Sequence, residues 1–143
     1  MTQEDKEILL KDLCARLPYN IRVEYKGKTH STIYDVLGVA HGRLAICLPF
    51  MSYTEHPLVE EVKPYLLPLS SMTEQQKEEL KNEISKQTDI LIERMKNDDC
   101  GIDCGKYHFH SLLELEWLLK NHFDYRGLIP KGLAIDATGK NIY

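Results

Sequence analysis

Two thiols and two imidazoles fall close together in Cys100-Gly-Ile-Asp-Cys104-Gly-Lys-Tyr-His108-Phe-His110, and thiolate and imidazole are the ligands that zinc prefers. The spacing argues against a common finger. Zinc knuckles place two residues between their cysteines, whereas Cys100 and Cys104 are separated by three and are followed by His-x-His. Two loop cysteines without chemistry are therefore the first reading, with a structural zinc site on Cys100, Cys104, His108 and His110 behind it. A redox-active Cys100/Cys104 pair comes third.

Nucleophilic catalysis needs a thiol or hydroxyl held by a base, which directs attention to Cys14, Cys47 and the six histidines. Cys47 lies between Ile46 and Leu48, and Cys14 follows Leu13, so both read as small core hydrophobes. His30, His41 and His56 fall in strand, turn and loop positions without a partner motif and read as surface residues. The carboxylate pairs Glu60-Glu61 and Asp98-Asp99 could supply an acid and a base or hold a hard metal. Neighbours on an extended chain point to opposite faces, so these pairs read as solvated surface. No phosphate-cradling glycine loop, nucleophile elbow or His-Glu-x-x-His helix is present.

The most interaction-like stretch is His122-Phe123-Asp124-Tyr125-Arg126-Gly127, since aromatic and Arg side chains are enriched at binding hot spots. A structural reading competes: Phe123 and Tyr125 pin the chain to the core, and Asp124 pairs with Arg126. Edge-strand residues around Tyr65 offer a second docking surface, opposed by the neighbouring prolines.

The elements that must position these residues follow from periodicity and turn chemistry. Thr2 and Asp5 form an approximate capping box, and Ile8, Leu9, Leu13 and Leu17 recur at helical spacing, which predicts a helix over residues 3–16 that Pro18 ends. Ile21, Val23 and Tyr25 alternate with charged residues, as in a half-buried strand. With turns at Lys26-Gly27 and His41-Gly42, residues 20–48 read as a three-stranded meander. The stretch from Pro49 to Pro57 reads as a loop, and Val62–Leu69 as a returning edge strand, because Pro64 and Pro68 cannot donate to a ladder.

Thr73 and Gln76 form a second capping box that opens a charged helix to about residue 97, whose C-terminal half is expected to pack on the sheet. Residues 97–107 read as a loop. Ser111 and Glu114 form a third box, opening a helix over 111–121 with Leu112, Leu115, Leu118 and Leu119 buried. The tail carries Gly127, Pro130, Gly132 and Gly139 and is expected to be irregular, with a short strand at Leu133–Ile135. The expected fold class is α+β in one domain over residues 1–143: a small antiparallel sheet or partly open β-barrel over residues 20–69, packed with three helices.

Composition excludes several function classes. The chain has 143 residues, 18 basic and 22 acidic, for a net charge of −4, so a concentrated basic face for nucleic acid is not expected. A chain of this length buries about two-thirds of its unfolded surface, enough for a core without disulfide or metal staples. No apolar run approaches the roughly 20 residues of a membrane span. The acidic start, MTQEDKEILLKDL, lacks the basic and apolar regions of a signal peptide, so a cytoplasmic location is expected.

Three stretches carry a resemblance: Glu4-Asp-Lys-Glu-Ile-Leu-Leu-Lys-Asp-Leu-Cys-Ala-Arg-Leu-Pro18, Lys63-Pro-Tyr-Leu-Leu-Pro-Leu-Ser-Ser-Met-Thr73 and Asn121-His-Phe-Asp-Tyr-Arg-Gly-Leu-Ile-Pro-Lys-Gly-Leu-Ala134. They resemble a family of short uncharacterised proteins of gut Bacteroidetes, often found near prophage-like or mobile DNA. The resemblance implies a bacterial, cytoplasmic, phage-linked protein and carries over no catalytic residue. The Cys100–His110 cluster lies outside it.

The leading functional expectation is a non-enzymatic binding or adaptor module for a protein partner, using Phe123, Asp124, Tyr125 and Arg126. A small zinc or thiol protein is second. An enzyme with dispersed catalytic residues is third.

Overall fold

A computed structural model describes residues 1–25, 33–49, 54–97 and 105–143, excluding the side chains of 91–97 and 105–110. Three helices, α1 (Gln3–Arg16), α2 (Glu74–Asn97) and α3 (Gly105–Lys120), accompany six strands. The strands are β1 (Arg22–Tyr25), β2 (Ile33–Ala40), β3 (Arg43–Cys47), β4 (Thr54–Glu55), β5 (Val62–Leu66) and β6 (Ile135–Asp136). The fold is α+β.

The capping box of α1 is present: the Thr2 hydroxyl accepts from the Asp5 amide at 3.1 Å, and the Asp5 carboxylate accepts from the Thr2 amide at 3.2 Å. α2 opens the same way, with Gln76 accepting from the Thr73 amide at 2.9 Å and Thr73 from the Gln76 amide at 3.2 Å. α3 corrects the expected start at residue 111. It begins at Gly105, so Ser111 and Glu114 lie inside the helix and residues 105–107 are not loop. A Ser-x-x-Glu sequence can occur mid-helix as well as at a cap, and here the helix simply continues through it. The helix therefore presents a different face than expected: Leu118 and Leu119 are buried and Leu115 half-buried, but Leu112 is 63% exposed.

The six strands form one mixed, open sheet in the order β4-β3-β2-β1-β5-β6, so it does not close into a barrel. The expected meander is the antiparallel run β1-β2-β3. Two features of the sheet correct the sequence reading. β5 is interior, flanked by β1 antiparallel and β6 parallel, with β6 two residues beyond the start expected for the tail strand. Pro64 is accommodated because it sits opposite Val23 in the β1 ladder, while the pairing with β6 begins only at Tyr65. Within the stretch read as a loop, Thr54–Glu55 pairs with β3, and the buried Glu55 accepts from the Tyr34 hydroxyl at 3.3 Å.

Alternation turns Val23, Tyr34, Val36, Leu44 and Ile46 to one sheet face, where they join Leu9 and Leu13 of α1 and Leu128 and Leu133 of the tail in the main core. Full burial of each such aliphatic side chain contributes about 1.5–3 kcal/mol. The other sheet face carries Arg22, Asp35 and Cys47, and a smaller cluster of Tyr65, Ala137 and Ile142 against Ile33, Leu67 and Ile135. A bulge between Val36 and Gly38 leaves Leu37 as the extra residue, 60% exposed. α2 packs mainly along α3, not on the sheet as expected for its second half; Thr88 is buried there and Ile90 stays 39% exposed.

Candidate functional site

The segment after α3 is held by a charge network that begins on α1. Asp12 and Arg16 lie one turn apart on the stripe that carries Leu9 and Leu13, and both are wholly buried. The pair is bidentate, with Nε to Oδ2 at 2.7 Å and Nη2 to Oδ1 at 3.2 Å. The guanidinium also donates to the Phe123 carbonyl at 2.7 Å and to the Leu119 carbonyl at 3.4 Å, as a second donor beside the Tyr125 and His122 amides that these carbonyls already accept from.

That network fixes the four residues expected to bind a partner, and it separates them. Phe123 is fully buried, its ring parallel to Trp117 with centroids 5.8 Å apart. Asp124 is also buried, and its carboxylate accepts from the Leu128 and Ile129 amides at 2.8 Å each, closing the following turn. Neither faces outward. The ion pair expected between Asp124 and Arg126 is replaced by one between Arg126 and Asp12 at 3.5 Å. Arg126 faces solvent, with its guanidinium 4.7 Å from the Tyr125 ring centroid, while the Arg16 guanidinium lies 5.7 Å from the same ring.

A second cluster occupies the outer sheet face. Arg22 bonds Asp35 at 3.1 Å and donates through Nη1 to the Ile142 carbonyl. His122, 8% exposed, stacks on Tyr143 at 3.6 Å and 6° between ring planes, and its Nδ1 has no hydrogen-bond partner. Burial, aided by the Arg16 and Arg22 charges, lowers the His122 pKa to about 4, so the imidazole is neutral near pH 7. Arg22, Asp35, Leu37, Cys47, His122 and Tyr143 help line a cleft of about 490 Å³. Burial first, and then the Asp35 charge, push the Cys47 thiol up, which favours the non-nucleophilic form. Composition and spacing carry no signal for this cluster, because Arg22 lies about a hundred residues before His122 and Tyr143 in sequence.

The other candidate residues are dispersed. Cys14 is exposed, contrary to its expected place in the core, because it falls on the opposite side of α1 from Leu9 and Leu13. Glu60 pairs with Lys6 at 2.5 Å while Glu61 accepts from the Leu58 amide at 2.7 Å, so the two carboxylates diverge. Tyr65 is buried on an interior strand and forms no docking edge. His41 and His56 are exposed, as expected. Cys100, Cys104, Asp98, Asp99 and His30 lie outside the described residues, as do the side chains of His108 and His110. Among the described residues, no three His, Cys, Asp or Glu side chains gather to hold a metal ion. No helix among them is long and apolar enough to cross a membrane.

A second groove, of about 530 Å³, runs between α2 and α3 with Trp117 in it and Glu79, Glu83, Lys86 and Lys120 around it. Comparison with protein-family models, with curated proteins and with solved structures finds no match to this chain.

Proposed function

We propose that this protein is a non-enzymatic binding or adaptor module, and that Tyr125 and Arg126 anchor its protein partner. The observation that carries this reading is the outward Arg126 guanidinium, lying on the Tyr125 ring and steadied by the buried Asp12 carboxylate. A surface Arg is ordinarily costly to immobilise, by about 0.5–1.5 kcal/mol for a rotamer-rich side chain. Here two contacts and a backbone tied to α1 through Arg16 meet part of that cost before a partner arrives. A planar cation backed by an aromatic ring suits a carboxylate or an aromatic side chain of the partner. Phe123 and Asp124 serve the same surface from beneath, by fixing the turn that presents it.

In this reading the module works in a bacterial cytoplasm and in a phage-linked setting, as the sequence resemblance implies. Affinity capture from its own cell lysate, with mass spectrometry of the eluate, tests the assignment through a comparison of wild type with Arg126→Ala and Tyr125→Phe. A protein recovered by wild type and depleted by Arg126→Ala, at unchanged melting temperature, supports it. Identical eluates from wild type and Arg126→Ala contradict it.

A further inference from the structure

We infer that the outer sheet face carries a peptide-recognition slot for an aliphatic residue followed by tyrosine, occupied in this structure by the chain's own Ile142 and Tyr143. The inference is independent of Arg126 and goes beyond the binding surface assigned to it.

Each feature of an aliphatic–tyrosine dipeptide meets a complementary group. The Ile142 side chain enters the apolar cluster of Tyr65 and Ala137, backed by Ile33 and Leu67, and its carbonyl accepts from the Arg22 guanidinium. The Tyr143 ring lies flat on the neutral His122 imidazole at 3.6 Å. Its hydroxyl donates to the Tyr65 carbonyl at 2.7 Å and accepts from the Arg22 amide at 3.4 Å. Apolar pocket, carbonyl clamp, stacking face and paired hydroxyl site are the parts with which proteins read short extended segments.

The occupying segment is built to come away. Ala137 is fixed by its amide to the Leu66 carbonyl at 2.8 Å, but residues 138–141 are all exposed and include left-handed positions at Gly139 (φ 71°) and Asn141 (φ 48°). Among the described residues, no backbone–backbone hydrogen bond outside the regular helices and strands involves 141–143. The segment is thus a tethered ligand held through the Ile142 and Tyr143 side chains and one carbonyl. The cleft that Tyr143 helps line also includes Asp35 and the exposed Leu37. The occupant that fits is a polypeptide segment of a different protein with this dipeptide, in competition with the tether.

The test uses a fluorescent peptide of the sequence Ala-Thr-Gly-Lys-Asn-Ile-Tyr and the full chain bearing Ile142→Ala and Tyr143→Ala. Saturable binding to this emptied slot is expected, with apparent affinity about tenfold weaker for wild type, because a short tether competes at high effective concentration. Replacing the peptide's Tyr by Phe should weaken binding about threefold or more, through the lost hydroxyl bonds. Adding His122→Ala to the emptied chain should do likewise through the lost stack. No saturable binding to a folded, emptied chain overturns the inference. If the doubly substituted chain does not fold, isotope-labelled wild type titrated with unlabelled peptide decides: Tyr143 ring signals moving to free-chain positions support the slot, and their constancy at millimolar peptide overturns it. A wild-type dimer that forms by exchanging these segments would give the slot to a second copy and overturn its assignment to another protein.

Discussion

Arg16 is the residue whose surroundings depart furthest from what its chemistry favours. A guanidinium with no exposure persists because every direction offers an acceptor or a ring: Asp12, the Leu119 and Phe123 carbonyls, and Tyr125. Removing one partner leaves an uncompensated buried charge, so Asp12→Ala should lower stability by about 3–5 kcal/mol, read from the urea midpoint at constant m. Joint replacement by Asp12→Leu and Arg16→Met should cost distinctly less. Equal losses would show that the charge pair is not the source. His122 gives a pH-dependent counterpart. The unfolded imidazole takes a proton near pH 6.5 and the folded one only at about 4, so its contribution is intact above 6.5. As pH falls from 6.5 to about 4, the unfolded state binds the extra proton and about 3 kcal/mol should be lost. Denaturant titrations across that window should show a shallower fall for His122→Asn, which also tolerates the left-handed φ of 59° at that position. A parallel fall in both chains would refute the assignment.

At the scale of elements, what could be read in the sequence was whatever is local. Thr2 with Asp5 and Thr73 with Gln76 mark real helix starts because a cap is a contact between residues three apart. Ser111 with Glu114 has the same spacing, but whether it caps depends on whether the preceding residues are already helical. A stability measurement checks the cap at α2: Thr73→Ala should cost about 1 kcal/mol, and an unchanged urea midpoint would show that the Thr73 hydroxyl does not hold the helix start. The meander was legible from alternation at Ile21, Val23 and Tyr25, and the turn at His41-Gly42 from glycine chemistry. The interior place of β5 was not, because Pro64 signals an edge and its partner β6 is recruited from about seventy residues away.

For the molecule as a whole, the parts that matter to function are the least local. Asp12 and Arg16 were passed over in the sequence; their i,i+4 spacing on the stripe of Leu9 and Leu13 is the one local signal, and it gains meaning only with Phe123 beside them. Nothing in the sequence brings Arg22, His122 and Tyr143 together. The tail from His122 to Tyr143 ties α1, α3 and both faces of the sheet. One of its surfaces presents Arg126 over Tyr125, and the other fills the slot on the outer sheet face. The most direct measurement is a calorimetric titration of the purified partner from the capture experiment into wild type and into Arg126→Ala of equal melting temperature. Recognition through Arg126 requires a Kd weakened about thirtyfold by the substitution, the size of a hot-spot contact. Equal dissociation constants for the two chains would contradict it.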